Sequence, residues 1–385
     1  MHKKGQNLPD LTLVLLGAGN STRFNQKFKK QWMRIKDDPL WLFVAKRFSF
    51  FADFADIVIV ANKNEIDYMK NFADFTFVEG SNERQLSLKN ALAVVKTPYV
   101  LVSDIARACV QERVIRELIA NKECADTIVP YISVSDTVHY QNRSLNREEL
   151  KLIQTPQLSK TSILKTALNS NEIFTDDSSA VLKSGGKVSY IKGDIKTAKL
   201  TYIDDIEKLP CLKPPSQDTF VGFGYDVHPF EENKEMFLCG VKLDTDYGFK
   251  AHSDGDVALH ALIDSLLGAI GAGDIGELFP DNDDLYKDID SKKLLKNVYN
   301  FLSKVGYEIL NIDITIIAQK PKILRYKQKM RSSVAKILDL PPSKINIKAT
   351  TTEKLGFIGR KEGVGVNAVA NLKYYDWTQI EGRAL

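Results

Sequence analysis

The sequence predicts two folds in succession, a doubly wound α/β domain followed by an α+β domain. Three observations predict this. The 385 residues exceed what one hydrophobic core usually supports. From residue 11 to about 205, short apolar runs alternate with helix-period segments. That rhythm stops at "EKLPCLKPPSQDT", where Pro210, Pro214 and Pro215 punctuate a stretch without periodicity. We therefore expect domains at 1–208 and 219–385, with a linker at 209–218.

In the first half, "LTLVLL", "IVIV", "FTFV" and "YVLVSD" read as buried strands bounded by polar turns. "LWLFVAKRFSFFAD" and "ERQLSLKNALAVV" read as helices between them. A sheet of this kind presents ligands at the carboxyl ends of its strands. In the second half, a strand pair precedes the helix "DVALHALIDSLLGAI" and another near "SKKLLKNVYNFLSKV". The strand "LNIDITIIAQ", a further helix and the alternating strand "VGVNAVANL" complete that half.

Charge and composition narrow the function. A formal charge of +4 gives no reason to expect a nucleic-acid partner. The start "MHKKGQNLPDLTLVLLGAGN" imitates a secretory signal, but its apolar run is only strand length. No stretch is long enough to span a bilayer, so we expect a cytoplasmic protein without membrane contact. The cysteines at 109, 124, 211 and 239 show neither CxxC pairing nor a disulfide framework, and reduced structural thiols are expected.

Of only five histidines, two lie in "AHSDGDVALHA" and a third in "GFGYDVHPF". Asp226 and His228 are two apart, so on a strand they share a face. His260 lies within an apolar helix, where an imidazole needs a partner. Together the three make a zinc ligand set with an open fourth position. Asp256, one turn before His260, could orient that ring or could be a plain surface carboxylate. His252 precedes the helix in a loop with Ser253, suited to gripping a phosphate, and Ser253 or Asp254 would cap the helix.

In the first half, "LTLVLLGAGNSTRFNQKFKKQW" leads from a strand into a loop with small residues at Gly17, Ala18 and Gly19. The loop lets backbone amides approach phosphates, and Arg23 and Lys30 add positive charge. It is neither a Walker sequence nor GxGxxG. Asp104 ends the strand "YVLVSD", where an α/β sheet would present a magnesium ligand, and Arg107 follows.

"GYDVHPF", "AHSDGDVALHAL", "GDIGELFPDND", "DITIIAQKPKI" and "IKATTTEKLGFIGRKEG" together resemble 2-C-methyl-D-erythritol 2,4-cyclodiphosphate synthase across residues 219 to 375. That family forms the cyclic diphosphate from 4-diphosphocytidyl-2-C-methyl-D-erythritol 2-phosphate and releases CMP. The resemblance implies zinc on Asp226, His228 and His260, and a second divalent ion, magnesium or manganese, on Glu353. It implies transition-state stabilisation by His252 and Thr351. Substrate contacts would come from Ser253, Asp274, Ile275, Gly276, Phe279, Asp281 and Asp283, with Thr352, Phe357 and Arg360 as supports. Ala318, Pro321, Ile323, Leu324 and Thr350 would form the cytidine pocket.

"GAGNSTRF…KKQW", "EGSNERQLSL", "VLVSDIARAC", "SDTV" and "QTPQ" are similar to 2-C-methyl-D-erythritol 4-phosphate cytidylyltransferase over about residues 10 to 208. By that resemblance Arg23 and Lys30 stabilise the α-phosphate of CTP and Asp104 binds magnesium. Ser81, Asn82 and Ser87 serve the base and ribose beside Gly17 to Gly19. Arg147, Lys199 and Thr137 position the erythritol phosphate, with Arg107 nearby. The family's Pro-Ala-Ala-Gly and Pro-Lys-Gln-Tyr are "LGAG" and "KKQW" here, while the charged positions persist.

The resemblances describe an α/β doubly wound nucleotidyltransferase domain followed by an α+β cyclodiphosphate-synthase domain: a bifunctional enzyme of isoprenoid-precursor synthesis. Two alternatives stay open for the first half: another polyol phosphate as acceptor, such as ribitol phosphate, or a non-catalytic assembly module. No kinase loop is visible in the sequence, so a separate pathway kinase must supply the second substrate, and association with it is a further expectation. Trimers in one family and dimers in the other predict a homo-hexamer.

Overall fold

The computed structural model describes residues 9–170, 172–251, 253–279 and 289–379. Two compact units, Met1–Pro214 and Pro215–Leu385, divide the chain.

The first unit is organised around the strand Leu11–Leu16, whose Leu11, Leu13, Val14 and Leu15 are all buried. Burial on both faces follows from helices covering both sides of the sheet. This strand pairs in parallel with Asp56–Ala61 and Tyr99–Asp104, and Thr76–Glu79 extends the first of these. Gln157–Lys160 runs antiparallel between Tyr99–Asp104 and Thr127–Ser133, which makes the sheet mixed. The helices expected from periodicity are Leu40–Phe51 and Arg84–Val94. Val138–Tyr140 and Arg143–Leu145 form a separate antiparallel arm that exposes Tyr140 and Leu145.

Two expectations need correction here. Cys109 and Cys211 form a disulfide across 102 residues of sequence, with Cα atoms 5.6 Å apart, while Cys124 and Cys239 are free. That proximity arises from tertiary packing, so spacing along the chain carries no trace of it. Residues 209–214, expected as linker, instead pack on the first unit. Leu209 and Leu212 are buried, and Lys36 N–H donates to Pro214 O.

In the second unit a five-stranded sheet runs in the order Tyr247–Phe249, Thr219–Glu232, Gly363–Tyr374, Tyr307–Ile317, Ile345–Thr350. The helix Val257–Ile270, apolar nearly all round, packs against its first long strand. Two glycines set how closely it packs. A Cβ on Gly224 would lie 1.9 Å from the Ala261 carbonyl oxygen, and one on Gly222 would lie 1.8 Å from that of Ser265. The helix backbone therefore rests directly on the strand. Val221, Phe223, Tyr225 and Val227 alternate with these glycines and are exposed on the opposite face.

Candidate active sites

The strand Thr219–Glu232 carries Gly222, Gly224, Asp226 and His228 at period two. The glycine-permitted approach of the helix brings His260 to the same place. His228 Nε2 lies 3.2 Å and His260 Nδ1 3.4 Å from Asp226 Oδ2. One ligand atom from each residue falls within 4.8 Å of the others, the only such group among the described residues. All three side chains are largely shielded, with exposures of 26% for Asp226, 14% for His228 and 13% for His260. Burial opposes the Asp226 charge, but hydrogen bonds from both imidazoles outweigh it and hold the carboxyl below its ordinary range. Two imidazoles and one carboxylate, with the His228 tautomer set by Nδ1 at 3.0 Å from Gly255 O, suit zinc with an open position.

Asp256 has neither of the roles considered for it. Fully buried, it caps the helix by accepting from Leu259 N–H, and it also accepts from Cys239 N–H and Gly240 N–H. Burial pushes its pKa up to about 6. The cap expected at Ser253 or Asp254 is thus two or three residues further on. The ring of His260 instead meets Ser291 Oγ at 2.9 Å and Ser253 Oγ at 3.3 Å.

Thr350 ends the strand Ile345–Thr350, and its carbonyl accepts from Ala318 N–H. The two ends of the expected cytidine pocket are therefore adjacent. Within that pocket Ala318 and Ile323 are buried, Pro321 is half-buried, and Leu324 is exposed. Thr351 Oγ1 donates to Glu353 Oε1 at 2.9 Å, and Thr352 donates to Leu355 O. Glu353 and Lys354 both adopt left-handed backbone conformations, with φ of 51° and 67°. Strain of this kind in two consecutive non-glycine residues accumulates at ligand-binding loops. Glu353 is exposed and does not join the Asp226 group. Asp274 caps the short helix Ile275–Leu278, which contains Gly276 and precedes Phe279. Phe357 is exposed, and Arg360 pairs with Glu362. His252, Asp281 and Asp283 lie outside the described residues.

The first unit holds a cavity of about 370 Å³ at the carboxyl ends of its strands. Gly17, Ala18, Gly19, Arg23, Lys30, Ser81, Asn82, Ser87, Asp104 and Lys199 all line it. Ser21 Oγ accepts from Lys30 N–H and donates to Gln31 Oε1, tying the glycine loop to the lysine. Lys30 Nζ donates to Leu200 O at 2.7 Å. Burial, reinforced by Lys199, lowers its pKa to about 8 although Asp104 pulls the other way. Asp104 is buried; Lys199, at 2.7 Å, and Arg84, at 3.6 Å, overcome the burial penalty and keep it ionised.

Arg107 donates to Thr197 O and does not line the cavity. Arg147 and Thr137 are exposed beside the arm and also lie outside the lining. Sequence reasoning missed Arg84, which lines the cavity and also pairs with buried Asp177 at 2.6 Å. It also missed Glu65, which accepts from Trp32 Nε1 and Gln31 Nε2 and pairs with Lys29. Both belong to ordinary-looking helices, and only tertiary contact reveals their place. Gly222 and Gly224 did carry a signal, since "GFGYDVH" spaces them in step with Asp226.

Two family models match: 2-C-methyl-D-erythritol 4-phosphate cytidylyltransferase over residues 11–209 and the YgbB family over residues 219–373. The bifunctional enzyme IspD/IspF of Aliarcobacter butzleri is 57% identical over 96% of this chain and 99% of its own length. That of Sulfurovum sp. is 56% identical over 97% of this chain and all of its own. The solved structure of bifunctional IspDF from Campylobacter jejuni superposes with a TM-score of 0.87 at 49% identity, over 96% of this chain and all of that one. The chain belongs to the bifunctional IspD/IspF enzyme family.

Proposed function

We propose that this chain catalyses two separate steps of the methylerythritol phosphate route to isoprenoid precursors. The first is cytidylyl transfer from CTP to 2-C-methyl-D-erythritol 4-phosphate, releasing pyrophosphate. The second is metal-dependent cyclisation of 4-diphosphocytidyl-2-C-methyl-D-erythritol 2-phosphate, releasing CMP. The observation that carries this reading is the convergence of Asp226, His228 and His260 in the unit that matches the YgbB family. The basic cavity in the unit that matches the cytidylyltransferase supports it.

In the first step, an oxygen of the acceptor phosphate attacks the α-phosphorus of CTP and the bond to pyrophosphate breaks. Charge builds on the α-phosphoryl oxygens, and Arg23 and Lys30, two of the four basic side chains that line the cavity, would meet it. The amides of Gly17–Gly19 cradle the phosphates, while Ser81, Asn82 and Ser87 take the base and ribose. Magnesium on Asp104 would offset triphosphate charge. Lys199, 2.7 Å from that carboxylate, would serve the acceptor phosphate. Arg147 and Thr137 would serve the acceptor across a twofold dimer, the arm reaching a partner's cavity.

In the second step, an oxygen of the 2-phosphate attacks the β-phosphorus and the bond to CMP breaks. Zinc on Asp226, His228 and His260, with magnesium or manganese on Glu353, would neutralise the anions that repel each other. Thr351 and His252 would hold the phosphoryl oxygens. Ser253 and residues 274–279 would hold the erythritol end, and Thr350 with Ala318–Leu324 the cytidine. The exposed apolar row Val221, Phe223, Tyr225 and Val227 supports burial against further copies, in keeping with a hexamer of threefold and twofold contacts. Among the described residues no helix is long and apolar enough to cross a membrane. A need for CTP fits a cytoplasmic enzyme, with a separate kinase supplying the second substrate.

The test supplies the full chain with CTP, magnesium and either methylerythritol phosphate or ribitol phosphate, and follows pyrophosphate. A second assay supplies the cyclase substrate with zinc and magnesium and follows CMP. Turnover of methylerythritol phosphate and of the cyclase substrate is expected. Absence of either product, or a preference for ribitol phosphate, overturns the corresponding half.

A further inference from the structure

His260 presents Nδ1 to Asp226, so its other nitrogen, Nε2, must be fixed by something else if the ring is to act as a ligand. Nε2 faces Ser291 Oγ at 2.9 Å, on the first residue of the helix Ser291–Lys304. Ser291 is fully buried, and its Oγ donates to Asp254 Oδ1 at 2.5 Å while its N–H donates to Asp254 Oδ2 at 3.2 Å. A ligand nitrogen offers its lone pair to the metal, so the proton of the neutral ring sits on Nε2. The resulting chain has one direction throughout: Nε2–H to Ser291 Oγ, then Oγ–H to the Asp254 carboxylate.

We propose that Ser291 and Asp254 are positioning residues for the metal centre, fixing the tautomer and ring plane of His260 through this relay. Asp254 polarises the serine hydroxyl, which makes Oγ a better acceptor for Nε2–H and Nδ1 a stronger ligand. Ser253, at 3.3 Å from the same nitrogen, already accepts Gly255 N–H and is the weaker partner. The relay also ties the loop before the His260 helix to the helix Ser291–Lys304 through Asp254 and Ser291, 37 residues apart in sequence. This inference rests on the metal-site reading above.

The experiment measures the Zn2+ dissociation constant of the full-length chain by competition with a chromophoric chelator, alongside the visible spectrum of the Co2+-loaded protein. Wild type is compared with Ser291→Ala, Ser291→Thr and Asp254→Asn, and circular dichroism checks each fold. Ser291→Ala is expected to weaken zinc binding about 10- to 100-fold and to alter the Co2+ spectrum, while Ser291→Thr retains both. Zinc affinity within about twofold of wild type in folded Ser291→Ala overturns the relay. Should Ser291→Ala not fold, Asp254→Asn decides: weakened zinc binding supports the relay and an unchanged constant overturns it. Wild type that binds no zinc overturns instead the site on which the relay rests.

Discussion

Replacing Gly224 with alanine tests how the metal site is assembled. The added Cβ would sit 1.9 Å from the Ala261 carbonyl oxygen and 2.8 Å from the Ser265 nitrogen. Both are backbone atoms of the His260 helix, so no side chain can swing aside. Relief requires helix and strand to part by more than about 1 Å, well beyond the ~0.2 Å tolerance of metal–ligand distances. His260 moves with its helix while Asp226 and His228 stay with the strand. Overpacking of this kind costs about 1–3 kcal/mol, and the zinc site loses affinity in addition. The assay pairs zinc content after gel filtration with thermal unfolding, and follows pyrophosphate release as an internal control in the other unit. Reduced zinc, lost CMP release and intact pyrophosphate release are expected. Full zinc occupancy with unchanged CMP release in Gly224→Ala would refute the claim that close helix approach builds the site.

Three further outcomes follow. Because Lys30 holds a pKa of about 8, kcat/KM for CTP should fall on the alkaline side near that value, and a flat profile to about pH 9.5 would contradict it. Arg84→Met leaves buried Asp177 without its 2.6 Å partner and should cost about 3–5 kcal/mol in chemical denaturation; a change under about 1 kcal/mol would deny that pair its structural weight. Burial works against a charged His228, but Asp226 outweighs it and raises the pKa above 6.5. Its stabilising contribution in metal-free protein is therefore complete below pH 6.5 and is lost as pH rises through the raised value. Melting curves without zinc should show that decline, and zinc-loaded protein should not.

Much of the metal site is written locally. Asp226 and His228 follow from strand period, and His260 from an imidazole in an apolar helix. Its supports are not. Asp256 has the helical spacing to reach His260, yet its carboxylate turns to three backbone amides, and the hydroxyl that meets the ring comes from Ser291 on another helix. The Cys109–Cys211 pair is invisible for the same reason, since only folding brings those residues together. In the first unit the glycine loop and its charges were legible from a strand-to-loop transition. Glu65 and Arg84 were not, because an acid or a base on a helix looks like surface until the fold buries it. Arg147 and Thr137 have motif support but lie outside the cavity of their own chain.

The most direct measurement is anomalous X-ray scattering across the zinc edge from crystals of the full chain. The account predicts one strong zinc peak at about 2.0–2.2 Å from His228 Nε2, His260 Nδ1 and an Asp226 oxygen. Zinc bound elsewhere, with these three side chains engaged only with one another, would contradict it.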